Sequence, residues 1–133
     1  MPSSQTTQRR IRGALLFHLP AMVMAVAILF VSSIPNLAGP VNSIFGFDKV
    51  MHIAEYGLFS WLVLRSLSWF KPKGMATAML LFVVFVVAIF AGLDEYLQSF
   101  VPGRDSTVAD FVADLIGVGG AAYVWRRLSD GRN

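Results

Sequence analysis

The chain has 133 residues, 56% of them hydrophobic and 14% charged, with eleven Lys and Arg against eight Asp and Glu and a formal net charge of +3. With a mean hydropathy of +0.63, this composition is far from that of an ordinary soluble globular domain and fits a small integral membrane protein. Cysteine is absent, which excludes disulfides and thiolate chemistry, and the cations form no basic stripe of the kind that binds nucleic acid.

Four apolar segments are expected to form helices, at about residues 13–33, 48–70, 75–93 and 107–125, each near the roughly 20 residues that cross a bilayer core. A basic tail, residues 1–12 with Arg9, Arg10 and Arg12, precedes the first. The apolar run from Ala14 to Val31 exceeds the about 7–15 residues of a secretory signal core, so an uncleaved anchor helix is expected, kinked at Pro20. His18 lies near its basic end and reads as interfacial, with no functional role. Arg65, Lys71 and Lys73 mark the junction between the second and third segments, and Arg126, Arg127 and Arg132 follow the fourth in a second basic tail, residues 126–133. Nine of the eleven cations thus fall on one side, which the positive-inside rule makes cytoplasmic. The expected fold is an all-α bundle of four transmembrane helices in one domain, residues 13–125, with both termini cytoplasmic. The connections at 32–47 and 95–107 then lie outside, with Pro35, Gly39, Pro40, Gly46, Pro102 and Gly103 as turn signals.

Seven of the eight acidic residues lie in two short polar islands, and both islands fall on that outer side. Ionisable groups cost about 2.5–3.5 kcal/mol each at the centre of a spanning helix, so their concentration points to function. In the first island Asp48, His52 and Glu55 stand at i, i+4 and i+7 on one helical face with Tyr56 beside them. Glu55 is then roughly 10 Å deeper than Asp48. A purely structural account gives Asp48 to an N-cap, Lys49 to snorkelling and Tyr56 to the core, and leaves His52 and Glu55 unexplained. In the second island Asp94 and Glu95 end the third apolar run, Gln98 lies one turn on, and Pro102, Gly103, Arg104 and Asp105 make a turn. Thr107 followed by Asp110 approximates a capping box. Asp114 is one turn deeper, roughly 6 Å below Asp110, and needs a buried partner, a water or a proton. Beside these acids Ala109, Ala113, Gly117 and Ala121 form a small-residue ladder that permits close helix packing.

This set allows three kinds of chemistry. His52 with the carboxylates offers ligands for a divalent cation, although no HExxH or other metal spacing is present and no cofactor is expected. His52 oriented by a carboxylate is a general acid or base. Arg104 presents a fork of donors suited to phosphate or carboxylate at a membrane surface.

The order Asp-Lys-x2-His-x3-Tyr at Asp48, Lys49, His52 and Tyr56, then Glu-x2-Gln at Glu95 and Gln98, Pro-Gly-Arg at Pro102 to Arg104, and Asp-x6-Gly at Asp110 and Gly117 resembles the VanZ-like family over about residues 30–125. The resemblance implies a small multi-pass protein of the bacterial cytoplasmic membrane with a cell-envelope role. Because the family's namesake is associated with resistance to the lipid-tailed glycopeptide teicoplanin, it also implies, more weakly, a resistance phenotype. One departure is the carboxylate of Asp114, where the family often carries Asn. Two classes of function stay open. The first is a binding protein or modulator whose outward polar site takes a lipid headgroup, a lipid-linked wall precursor or a lipoglycopeptide. There Asp48, Lys49, Tyr56, Gln98, Arg104 and Asp114 would contact ligand, and Lys49 and Arg104 would meet anionic groups. The second is a membrane enzyme on such a substrate with His52, Glu95 and Asp110 as acid or base residues. Contact between His52 and Glu95 or Asp110 is expected if the two islands form one site. The oligomeric state stays open too.

Overall fold

A computed structural model describes residues 4–36, 46–70, 77–104 and 106–130. Gly39, Pro40, Lys71, Lys73, Asp105 and Arg132 therefore lie outside the described residues. Four helices follow in chain order: α1 Ser4–Ser32, α2 Phe47–Ser68, α3 Thr77–Gln98 and α4 Val108–Asp130. Among the described residues there is no strand, as a lipid-embedded chain requires when each backbone polar group must be satisfied within its own segment. Residues 7–32, α3 and α4 are long and apolar enough to cross a membrane. The remaining helix, α2, is 22 residues long and carries Asp48, Lys49, His52, Glu55 and Arg65. Both basic tails are largely helical, since α1 begins at Ser4 and α4 runs to Asp130. Pro20 sits inside α1 and the helix continues through it.

The helix ends have local causes. The last turn of α1 tightens, with Ser33 N reaching both Leu29 O and Phe30 O at 3.1 Å and Ile34 N reaching Val31 O at 3.2 Å. Just beyond, Asn36 N donates to Pro102 O at 3.2 Å, tying the end of α1 to the connection between α3 and α4. Gly103 takes φ +74° there, and any Cβ on it would collide with the Asn36 side chain. The chain enters α2 through Gly46 at φ 89°, a left-handed conformation that glycine adopts without penalty.

Lipid gives helices no hydrophobic reason to associate, so close packing must supply the attraction. The most extensive contact is between α2 and α4. At its centre the backbones of Gly57 and Gly117 meet. A Cβ on Gly117 would strike the Ile53 carbonyl oxygen and lie 2.9 Å from Gly57 N. In the expected ladder Ala113 and Gly117 are buried, Ala121 is half-buried and Ala109 is exposed. The apolar core gathers Ile28, Tyr56, Phe59, Leu64, Val83, Val87, Ala91 and Val118 from all four helices. Large apolar residues such as Leu16, Val26 and Phe30 on α1 and Phe82, Phe85 and Leu93 on α3 point outward, the pattern of a surface solvated by acyl chains.

The two ends of the bundle differ chemically. At the arginine-rich end Arg65 Nη1 donates to Leu16 O at 3.0 Å and its guanidinium lies 4.7 Å from the Phe17 ring centroid. His18 Nδ1 meets Ser66 Oγ at 2.6 Å and its ring stacks on Phe70, so α1 and α2 are latched there. Arg126 Nη1 donates to Thr77 Oγ1 at 2.5 Å, placing the end of α4 beside the start of α3. Asp130 pairs with Arg126 at 2.9 Å there, and the opposite end carries the other described carboxylates.

Gly117→Ala is expected to lower thermal stability in detergent by about 1–3 kcal/mol, the usual cost of overpacking. Gly120→Ala, where an added Cβ meets nothing within 4 Å, is the matched control and is expected to melt like the native chain. Equal melting temperatures for the two variants would show that the α2–α4 seam tolerates separation.

Candidate functional site

Helical spacing puts His52 one turn below Asp48 on α2 and Asp114 one turn below Asp110 on α4, and the Gly57–Gly117 approach brings these two faces together. His52 Nδ1 lies 2.8 Å from Asp114 Oδ1, and its Nε2 lies 3.7 Å from Asp110 Oδ1. With Asp114 ionised, Nδ1 carries the hydrogen and donates it. Asp114 is 1% exposed on its side chain, so the imidazole is the polar partner that makes its burial tolerable. Lys49 Nζ pairs with Asp110 and, at 2.7 Å, with Asp48. The ammonium is thus held by two carboxylates instead of extending freely to the interface.

Asp110 has a second task. Thr107 Oγ1 donates to Asp110 Oδ2 at 2.6 Å and accepts from Asp110 N at 3.2 Å, closing a short capping arrangement at the start of α4. Glu95 completes it from α3: its Oε1 accepts from Thr107 N at 2.8 Å, and Ser106 Oγ donates to the Glu95 carbonyl at 3.0 Å. A carboxylate at a helix N-terminus is also favoured by the helix dipole.

Asp94 organises a third group that joins α1, α2 and α3. Its Oδ2 accepts from Ser32 Oγ at 2.9 Å, Tyr56 OH at 3.1 Å and Gln98 Nε2 at 3.1 Å, and Gln98 Nε2 also reaches Ser32 Oγ at 2.9 Å. All four residues are buried. Ser32 does not stand out in the sequence, and Asp94, although it opens the second polar island, is not among the residues expected at the site. The i, i+4 spacing of Asp94 and Gln98 is the signal for one, whereas Ser32 reads as the end of an apolar run.

Of the residues expected at one site, Asp48, Lys49, His52, Asp110 and Asp114 form one connected group, and Tyr56 and Gln98 join Asp94 in another. Glu95 lies between them through Thr107. Glu55 is half-buried on α2 and has no side-chain hydrogen bond to a described residue. Arg104 is half-buried, with its backbone N on Val101 O at 3.2 Å. Three polar atoms at this end are buried without a hydrogen-bond partner among the described residues: Asp94 Oδ1, Glu95 Oε2 and Arg104 Nε. No group of three or more His, Asp or Glu among the described residues converges as metal ligands.

Breaking one arm of the Lys49–Asp110 pair is expected to cost more than removing both. Lys49→Met strands a carboxylate that is 7% exposed on its side chain, so it is expected to melt below the double variant Lys49→Met, Asp110→Asn in the same detergent. A double variant less stable than the single one would mean that the pair contributes little.

Comparison with known proteins places this arrangement in a family. No curated protein and no solved structure matches the chain significantly. The VanZ/LLP1 family model matches residues 2–129, a span that contains every residue of the polar end and all four helices except Asp130, the last residue of α4. With that match over almost the whole sequence and three helices of membrane-spanning character, the chain belongs to the VanZ/LLP1 family and is a VanZ-like, multi-pass membrane protein.

Proposed function

We propose that all four helices span a bacterial cytoplasmic membrane with both termini in the cytoplasm, and that the carboxylate-rich end faces outward to bind or modulate a cell-envelope amphiphile. The orientation is supported by the concentration of Arg and Lys at the opposite end of the helices. The function is carried by one observation: Asp94 Oδ1, Glu95 Oε2 and Arg104 Nε are buried at the carboxylate-rich end with no partner among the described residues. Buried polar atoms cost about 1–3 kcal/mol each when unsatisfied, and three at one end of a small bundle are explained by a ligand that completes them. An amphiphile suits the position because its headgroup would meet these atoms while its tail lies along apolar α1 or α3. Lipid headgroups, lipid-linked wall precursors and lipoglycopeptides such as teicoplanin share that design.

A second reading, a membrane enzyme, is favoured by the His52–Asp114 contact. One ring nitrogen is fixed by a buried carboxylate and the other faces Asp110, the arrangement that lets an imidazole take up and return a proton. Glu95, with one oxygen on Thr107 and the other buried without a partner, is the second proton-transfer group in that reading.

In a teicoplanin-sensitive Gram-positive host with matched membrane levels, the native chain is expected to protect and His52→Ala is expected not to. Equal protection by both would move the function away from the polar site. Where protection is seen, His52→Gln separates the two readings: a binding site loses amphiphile affinity and protection together, and a catalyst keeps binding while protection disappears.

A further inference from the structure

The inventory of satisfied and unsatisfied atoms narrows the chemistry of the ligand, on the premise that the carboxylate-rich end binds an amphiphile. Anionic groups have little to meet here. Lys49, at the start of α2, already pairs with Asp48 and Asp110, and His52 faces Asp110 and Asp114. Arg104 is left as the sole described cation at this end without a side-chain partner, through Nε. Acceptors are in excess. Asp94 is 2% exposed and Glu95 8% exposed, and each keeps one carboxylate oxygen buried with no donor among the described residues. The Glu95 carboxylate reaches Thr107, whose hydroxyl also bonds Asp110, whereas Asp94 is held by Ser32, Tyr56 and Gln98, so the two unpartnered oxygens belong to adjoining groups on consecutive residues of α3.

Low dielectric makes this imbalance expensive, and the missing quantity is positive charge together with N–H or O–H donors. A bare divalent cation would need several carboxylates or imidazoles converging on one point, which the described residues do not provide. A quaternary ammonium brings charge but no donor. A primary ammonium brings one charge and three donors. We propose that this end of the bundle recognises a primary ammonium on a membrane amphiphile, with Asp94 Oδ1 and Glu95 Oε2 as its acceptors and Arg104 Nε donating to the oxygen-bearing group next to it. The chemistry is shared by an aminoethyl phosphate headgroup and by an amino sugar on a lipid or glycopeptide.

Purified full-length chain in neutral detergent tests this by the shift in its thermal midpoint as amphiphiles are titrated. The probes are short-chain phosphatidylethanolamine, its N-acetyl derivative, phosphatidylcholine, phosphatidylglycerol, and an alkyl glucosaminide with a free or N-acetylated amine. The expected result is an apparent Kd at least about tenfold tighter for a free-amine probe than for its acetylated, quaternary or anionic counterpart, the size of a lost charge-assisted hydrogen bond. Which amine binds, the phospholipid or the sugar, identifies the source. Glu95→Gln and Asp94→Asn keep an oxygen for Thr107 and for Ser32, and each is expected to shrink the preference for the free amine. The probe comparison on the native chain stands even where a variant fails to fold. Binding of phosphatidylglycerol or the acetylated probes as tight as that of the free amines would overturn the ammonium assignment and leave amphiphile binding intact. No midpoint shift with any probe would overturn both.

Discussion

The close approach of α2 and α4 at Gly57 and Gly117 is the contact on which the rest of the polar end depends. Two helices carrying ordinary side chains at those positions would stand farther apart, and no side chain one turn above could then bridge them reliably. Because both positions lack a Cβ, the faces bearing His52 and Asp114 come within hydrogen-bond distance, and Lys49 reaches Asp110 a turn nearer the end. Dispersion at the glycines and electrostatics above them act along the same seam. The seam therefore sets the geometry of the polar group as well as the stability of the bundle.

Burial of charge is the second constraint, and the chain meets it by connecting its carboxylates to different elements. Asp114 is matched by an imidazole, Asp110 by an ammonium and a helix N-terminus, Glu95 by a backbone N–H, and Asp94 by three neutral donors. Those partners come from α1, α2, α3 and the start of α4, so each buried acid also fastens one helix to another. Within lipid such polar contacts replace part of the attraction that water supplies to soluble proteins. The arginine-rich end is built differently, from cation–ring and ring–ring contacts around Phe17, Trp69 and Phe70.

Much of this was legible in the sequence because membrane-length apolar runs and helical spacing are local properties. The four helices fall near the expected segments, and the Thr107–Asp110 cap follows from a three-residue spacing that needs no tertiary knowledge. The distances between islands were not legible. Charge counting put both islands on one side, but only the Gly57–Gly117 contact fixes which residues face each other. Ser32 was missed because a serine closing an apolar helix looks like any helix end, and its partner lies 62 residues away. Lys49 looked available for an anionic group because a lysine at a helix start ordinarily extends to the interface. Its engagement by Asp110 depends on α4, which no pattern within α2 reveals.

Asp114 shows how a change of charge can leave a site's shape untouched. Its Oδ1 accepts from His52 Nδ1, and the carbonyl oxygen of the Asn often found in VanZ-like relatives could accept the same hydrogen at the same distance. The hydrogen bond and the orientation of the imidazole are then common to both residues. What differs is the charge beside the ring: an ionised carboxylate brings one negative charge and an amide brings none. A site that already holds unpartnered carboxylate oxygens on Asp94 and Glu95 gains one more negative charge from this exchange. His52 Nδ1 is already engaged by Asp114, at 2.8 Å, and is not available to the acids above it. In the proposed reading those acids are neutralised by the ammonium of a bound headgroup, and the headgroup region is then the place where the chain's charge balance is completed.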